Sequence, residues 1–245
     1  MDLGLEGKRA LVMGASQGLG YALAEGLVKE GAIVTICSRS EERLAKAAKT
    51  MGAQHVLALD LNAPGAGRLA VQTASQMLGG VDILITNTGV PPKGSFLTLT
   101  ADQWQEGFQS LWLSAVESIQ TAVPGMQKSK FGRILLVTSA AAKEPMPGFT
   151  VSNGLRAGLL GLTKTISNEI ASHGITINAL LPGYTRTERL KELDIPEDKI
   201  TANIPAGRLG EPQELAALAT FLSSERAGYI TGQAIAVDGG YLRGI

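Results

Sequence analysis

The chain has 245 residues and balances 22 basic against 22 acidic side chains. That balance argues against nucleic acid or an anionic membrane as partner, and no apolar run approaches the ~18 residues that span a bilayer. The opening stretch, Met1 to Glu6, lacks the basic and apolar regions of a signal peptide, so a soluble, cytoplasmic protein is expected. One cysteine, Cys37, excludes an internal disulfide, and with only His55 and His173 beside it no metal site is expected.

The first predicted strand, Arg9 to Met13, runs straight into three glycines, Gly14, Gly18 and Gly20. A helical pattern with Leu19, Leu23 and Leu27 on one face follows. Glycine tolerates unusual backbone angles and lets phosphates approach the main chain. The helix behind it offers unpaired N–H groups and a positive dipole end. Strand, glycines and helix in this order predict a dinucleotide site over Gly14, Ser16, Gln17, Gly18, Leu19 and Gly20. A second strand, Ile33 to Cys37, ends in Ser38 and Arg39. A basic residue there suits the 2′-phosphate of NADP, as an acidic one would suit the ribose of NAD; a solvated arginine at a helix start is the plain alternative. A helix over 41–51 and a strand from His55 to Leu59 lead to Asp60 and Leu61, at the edge where ligands of such sheets gather. Asp60 can equally cap the next turn.

A helix over 66–78 precedes a strand from Val81 to Thr86, which runs into Asn87, Thr88 and Gly89. Residues 102–126 place Trp104, Phe108, Leu111, Ala115, Ile119, Ala122 and Met126 on one helical face, a core or subunit-interface pattern. The fifth strand, Arg133 to Ser139, ends in a hydroxyl, and a long helix from about Val151 follows. The sixth strand, Ile175 to Leu181, stops at Pro182 and Gly183. Residues 185–208 are weakly periodic, as suits a substrate lid or a surface excursion. A helix over 212–223 and a strand from Ala234 to Asp238 close the chain. Alternating strands and helices throughout predict one α/β domain over 1–245, a doubly wound parallel sheet with helices on both faces.

Together these segments resemble the short-chain dehydrogenase/reductase family, nearest to its 3-oxoacyl-[acyl-carrier-protein] reductases. The resemblance is carried by the glycine turn, Leu59-Asp60, Asn87-Thr88-Gly89, Ser139, Pro182-Gly183, the stretch 208–212 and the stretch 229–240. It implies a Rossmann-type fold and a nicotinamide cofactor, with Arg39 favouring NADP(H) over NAD(H). Asp60 would meet the adenine, Asn87 and Gly89 the adjoining ribose and backbone, and Thr187 the nicotinamide carboxamide. It also implies a homotetramer or dimer assembled through the helices near 102–126 and 151–172, acting on a small carbonyl or alcohol.

Members of the family usually carry an Asn, a Ser and a Tyr-x-x-x-Lys pair. The tyrosine, its pKa lowered by the lysine, exchanges the hydroxyl proton while hydride moves. The register set by the stretch 155–165 puts Leu111 at the asparagine position, Ser152 at the tyrosine and Arg156 at the lysine, and keeps Ser139. The usual mechanism is therefore not expected. One reading is an oxidoreductase with rearranged chemistry, in which Ser139, Ser152 and Arg156 hold the carbonyl oxygen and water or Tyr184 supplies the proton. The alternative is a catalytically silent NADP(H)-binding protein, acting as a sensor or structural partner. A third reading abandons the nucleotide, because Met13, Thr86 and Thr88 depart from the family pattern beside the cofactor. An acidic acyl carrier would find Lys130 and His173 at the family's two basic positions, with Lys128 and Arg133 as further cations.

Overall fold

The computed structural model describes residues 2–191 and 195–244. Among these residues lie seven strands: β1 (Arg9–Met13), β2 (Ile33–Ser38), β3 (His55–Ala58), β4 (Ile83–Thr86), β5 (Gly132–Val137), β6 (Ile175–Pro182) and β7 (Ala234–Val237). They pair in parallel in the order β3-β2-β1-β4-β5-β6-β7. Burial explains the sequences. β5 and β6 are buried at every position and read as near-continuous apolar runs, whereas the edge strand β3 alternates between half-buried and exposed. β4 is shorter than predicted because Asp82, just before it, turns to accept from the backbone N–H and guanidinium of Arg9. That pair ties the amino ends of β1 and β4 together.

Helices cover both faces, as the alternation predicts. On one face α1 (Gly18–Lys29) and α2 (Glu41–Met51) pack with α9 (Pro212–Leu222). There Leu23, Leu27, Leu44 and Leu215 close over Val12, Val34 and Ile36. On the other face lie α3 (Ala66–Leu78), α5 (Ser114–Ser129) and α6 (Thr150–Ile170), with Ile119, Met126 and Leu159 over Leu11, Met13 and Leu84. Alternate residues of β1 thus feed opposite cores, and each fully buried leucine contributes about 1.5–3 kcal/mol. Helix ends carry ordinary stops. Ser40 accepts from Arg43 N at the start of α2, and Gly52 closes it at φ +84°; Pro212 opens α9 within a Glu211–Glu214 capping box.

The helix predicted over 102–126 is in fact three joined pieces. α4 (Ala101–Gly107) runs into a π-helical turn at Phe108–Leu113, which passes into α5. The wide turn seats the backbone of Leu111 against Gly89, where an added Cβ would stand 3.1 Å from Leu111 N. Periodicity cannot reveal such a turn, since Leu111, Ala115, Ile119, Ala122 and Met126 are all buried on the expected face.

The predicted lid, residues 185–208, holds α7 (Glu188–Lys191) and α8 (Glu197–Thr201), while 192–194 lie outside the described residues. A bridge between Thr185 and Gly210 closes its base. Arg186 grips Glu197 with two bonds of 2.8 and 3.0 Å and Glu211 with a third, while Arg208 pairs with Glu214. Among the described residues no helix is long and apolar enough to cross a membrane, and none of the His, Cys, Asp and Glu side chains cluster as a metal site.

Candidate nucleotide and substrate site

Strand order reverses about β1, so the crevice beyond the carboxyl ends of β1 and β4 is where ligands of such sheets sit. Gly14 and Asn87 meet there, with Asn87 Nδ2 donating to Gly14 O at 3.2 Å. Space and backbone angle both demand glycine. Gly14 has φ +63°, and a Cβ on it would stand 2.3 Å from Asn87 O. A Cβ on Gly20 would stand 2.2 Å from Gly14 O, so α1 packs directly on the turn. Gln17 precedes α1 in extended backbone, makes no side-chain cap, and no acidic residue stands in the first turn. Ser16 and Leu19 are half-buried beside it and Gln17 is exposed. The positive helix end is left for a ligand.

Ala15 N donates to Cys37 O, which brings the end of β2 beside this turn. Ser38 Oγ is sealed there without a hydrogen-bond partner, and the exposed Arg39 forms no ion pair among the described residues. Asp60 is exposed and accepts from Asn62 N through Oδ1, the turn-capping role that position alone allowed; Leu61 behind it is buried. Gly89 holds φ +72° against Leu111. Pro182 ends β6, and Gly183 N donates to Val237 O so closely that a Cβ would meet Asp238 Cα at 2.7 Å. Thr187 reaches across from the lid, its methyl 3.7 Å from a Cβ on Gly18. The predicted nucleotide residues stand at or beyond the carboxyl ends of strands, from Asp60 after β3 to Pro182 and Gly183 at β6, with Thr187 in the excursion that follows and Leu61 turned into the core. Met13 does not crowd the crevice, because its side chain points into the α5 core, where Ser118 Oγ lies 3.6 Å from its sulfur.

The second half of the site stands at the ends of β5 and β6. Ser139 follows β5, and its Oγ accepts from Ala141 N at 3.1 Å, opening a short 3₁₀ turn at Ala140–Ala142. Ser152 and Arg156 share one face of α6. Arg156 Nε donates to Ser152 Oγ at 3.1 Å, and Nη1 donates to Thr138 O at 2.7 Å and Val137 O at 3.1 Å. The guanidinium thus clamps α6 to the end of β5 and leaves the Ser152 O–H free to donate. Arg156 is only 8% exposed. Burial, helped by the like charge of Arg189, pulls its pKa down to about 10, which still leaves it charged at neutral pH. Leu111 stands in the core and offers no polar group.

Tyr184 turns away from acid chemistry. Its ring packs edge-on against Tyr241 at 5.3 Å, over the small apolar cluster of Ile200, Ile204 and Leu209. Burial pushes its phenol up to about 12, the wrong direction for a proton donor at neutral pH. It is a wall residue of a cavity of about 350 Å³, whose lining includes Glu144, Lys199, Asn203, Tyr241 and Arg243. Sequence reasoning missed these companions. They come from three distant stretches with no shared periodicity, joined where Glu144 accepts from the backbone N–H groups of Arg243 and Gly244.

The basic face expected for an acyl carrier changes as well. Arg133 is buried, not surface-borne: it donates to Ser224 O, Gly132 O and Gly174 O, and lies 4.3 Å over the Phe131 ring. Lys130 and His173 are exposed but precede β5 and β6, so they stand at the opposite edge of the sheet from Ser139. A six-residue strand separates those edges by roughly 20 Å.

The fold and its glycine turn define a Rossmann-type α/β nucleotide-binding protein. A family model described as enoyl-(acyl carrier protein) reductase matches residues 14–242. The 3-oxoacyl-[acyl-carrier-protein] reductase FabG of Vibrio harveyi is 35% identical over 240 residues, covering 97% of this chain and 98% of its own. Human dehydrogenase/reductase SDR family member 4 is 34% identical, covering 96% of this chain and 88% of its own. Among solved structures, YwfH, an NADPH-dependent reductase involved in bacilysin biosynthesis, superposes with a TM-score of 0.94 at 31% identity, covering 98% of this chain and 100% of that one. The L-sorbose reductase of Gluconobacter frateurii, complexed with NADPH and L-sorbose, gives 0.93 at 31% identity, covering 100% of both chains. The chain belongs to the short-chain dehydrogenase/reductase family.

Proposed function

We propose that the protein is an NADP(H)-dependent oxidoreductase of a carbonyl/alcohol pair, working without the family's tyrosine–lysine proton relay. The observation that carries this reading is the clamp of Arg156 on Ser152, which leaves a hydroxyl and a buried positive charge beside Ser139. The nucleotide would be held by the turn from Gly14 to Gly20, by Asn87 and Gly89, and by Pro182, Gly183 and Thr187. Ser38 and Arg39 would take the 2′-phosphate, for which the exposed Arg39, in no ion pair among the described residues, is suited, and this favours NADP(H) over NAD(H). When bound, the cofactor supplies or accepts the hydride.

Ser139 and Ser152 hold the carbonyl oxygen by donating their O–H groups, and Arg156 stabilises the negative charge that grows there. As hydride reaches the carbon, the carbon–oxygen π pair moves to oxygen, which then takes a proton from water. Lacking a positioned acid, the chain would turn over on the order of 10²–10⁴ slower than a relative that has one. We also propose the family's usual association, a dimer or tetramer through α4–α5 and α6.

A second reading, a silent NADP(H) binder, is favoured by the same arginine, since two of its bonds go to backbone carbonyls and serve the fold. Calorimetric titration with NADPH and NADH, followed by a carbonyl screen, tests both. Micromolar NADPH binding with turnover supports the first reading. Binding without turnover on any carbonyl supports the second, and no binding of either nucleotide overturns both.

A further inference from the structure

Among the described residues two guanidiniums are buried, those of Arg133 and Arg156, and they are treated differently. Arg133 is satisfied from within: three carbonyls accept from it, an aromatic ring lies beneath it, and the charge of Glu225 reaches it. Arg156 has no carboxylate in ion-pair reach among the described residues. Its bonded neighbours are neutral, namely one hydroxyl on Nε and two carbonyls on Nη1. Its Nη2 donates to no described residue, although the side chain is only 8% exposed. The formal charge bearing on it, Arg189 of α7, has the same sign. Burying an uncompensated cation is costly, and the position cannot relieve the cost by losing its proton at neutral pH.

We propose that the substrate supplies the missing charge: the pocket of Ser139, Ser152 and Arg156 takes a short oxo acid, or the matching hydroxy acid, with its carboxylate on Arg156. This deepens the function proposed above and rests on it. With Nε and Nη1 engaged, Nη2 is left to donate, and a charge-assisted bond from it is stronger to a carboxylate than to a neutral carbonyl oxygen. Spacing within the site fits a carboxylate close to the reacting carbon. Thr138, whose carbonyl accepts Nη1, is the residue before Ser139, so the charge and the hydroxyl that would hold the carbonyl oxygen are chain neighbours.

The test is calorimetric and uses protein saturated with NADP⁺, so that no carbonyl is reduced during the titration. Two acid/amide pairs serve as probes, oxamate with oxamide and acetoacetate with acetoacetamide. The acid of at least one pair should bind about tenfold or more tighter than its amide. Arg156→Gln should erase that preference, and Arg156→Lys, which keeps the charge, should retain part of it. Equal binding of acid and amide in both pairs overturns the proposal, as does a preference that survives Arg156→Gln in protein that still binds NADP⁺. Should Arg156→Gln not fold, loss of the preference in Arg156→Lys to the level of the amide decides against it. If the unaltered protein does not bind NADP⁺, the functional reading beneath it falls too, a result visible before any acid is added.

Discussion

The two halves of the site are built from different material. Around β1 and β4 the surface is backbone: Gly14, Gly20 and Gly89 are fixed by contacts with main-chain atoms of Asn87, Gly14 and Leu111. At the ends of β5 and β6 the surface is side chain: the hydroxyls of Ser139 and Ser152 and the guanidinium of Arg156, which also holds α6 to the end of β5. A site made of backbone tolerates little change, because one added methyl collides with a peptide. A site made of side chains can lose its acid and keep its shape. The contrast explains how a chain can hold the nucleotide crevice of its family and present a different set of groups to the substrate.

The sharpest way to break the comparison is to alter the backbone half. Gly20→Ala places a methyl 2.2 Å from Gly14 O, and Gly14→Ala adds a left-handed angle to its own clash. Each should cost about 3 kcal/mol or more of stability and abolish NADPH binding, read by urea unfolding and calorimetry. If either variant bound NADPH normally, the claim that the turn is held by close packing would fail. The converse change should build activity. With the nucleotide half intact, Ser152→Tyr combined with Arg156→Lys should raise carbonyl turnover by about 10²–10⁴. A well-folded double variant that binds NADPH yet gains nothing would move the defect elsewhere, with Leu111 the first place to look. A smaller effect is expected at Arg39, where Arg39→Ala should weaken NADPH about tenfold and leave NADH unchanged.

Legibility in the sequence followed the same division. The glycine turn, Asn87 and the strand ends could be read because backbone demands leave marks: glycine where φ is positive, unbroken apolar runs where a strand is buried on both faces. That Ser152 and Arg156 share one helix face was legible as well, since they are four apart. What they do was not. The bonds from Arg156 to Val137 O and Thr138 O cross from helix to strand, and no local pattern announces a contact of that kind. Arg133 reads in the sequence as one more basic residue near a surface turn, but the main chain of three separate segments encloses it. Tyr184 looked well placed for proton transfer by its position after Gly183; its partner Tyr241, 57 positions away by number, turned it into a wall. The π turn at Leu111 hides inside a regular apolar stripe for a simple reason: one widened turn shifts the helix without exposing its apolar face.

Smaller effects separate the halves by pH and salt. Cys37, next to last in β2, is fully buried, and burial pushes its thiol up to about 12 from the ordinary 9.0. The unfolded chain therefore loses that proton first. Stability contributed by the protonated thiol is complete below pH 9, and falls as pH rises toward 12, because the folded state then binds more protons than the unfolded. At pH 10 the loss should be about 1 kcal/mol. Cys37→Ala should remove that part of the alkaline decline, measured as the difference in urea midpoint between pH 8 and pH 10. An identical decline in the variant would mean that the thiol ionises as easily in the folded protein as outside it.

The least effect is expected in the excursion over 185–208, at the exposed latch of Arg186 with Glu197 and Glu211. Exposed pairs of this kind add little to global stability and are screened by salt. Arg186→Ala should therefore leave the urea midpoint nearly where it was. Amide exchange should nevertheless quicken across α7 and α8, and added salt should bring the unaltered protein toward the variant. The backbone half offers the control, since exchange around Gly14 and Gly20 should not respond to salt. If the latch variant loosened both equally, the nucleotide crevice and the excursion would behave as one cooperative unit, and the division between backbone-built and side-chain-built surfaces would be one of composition without a counterpart in motion.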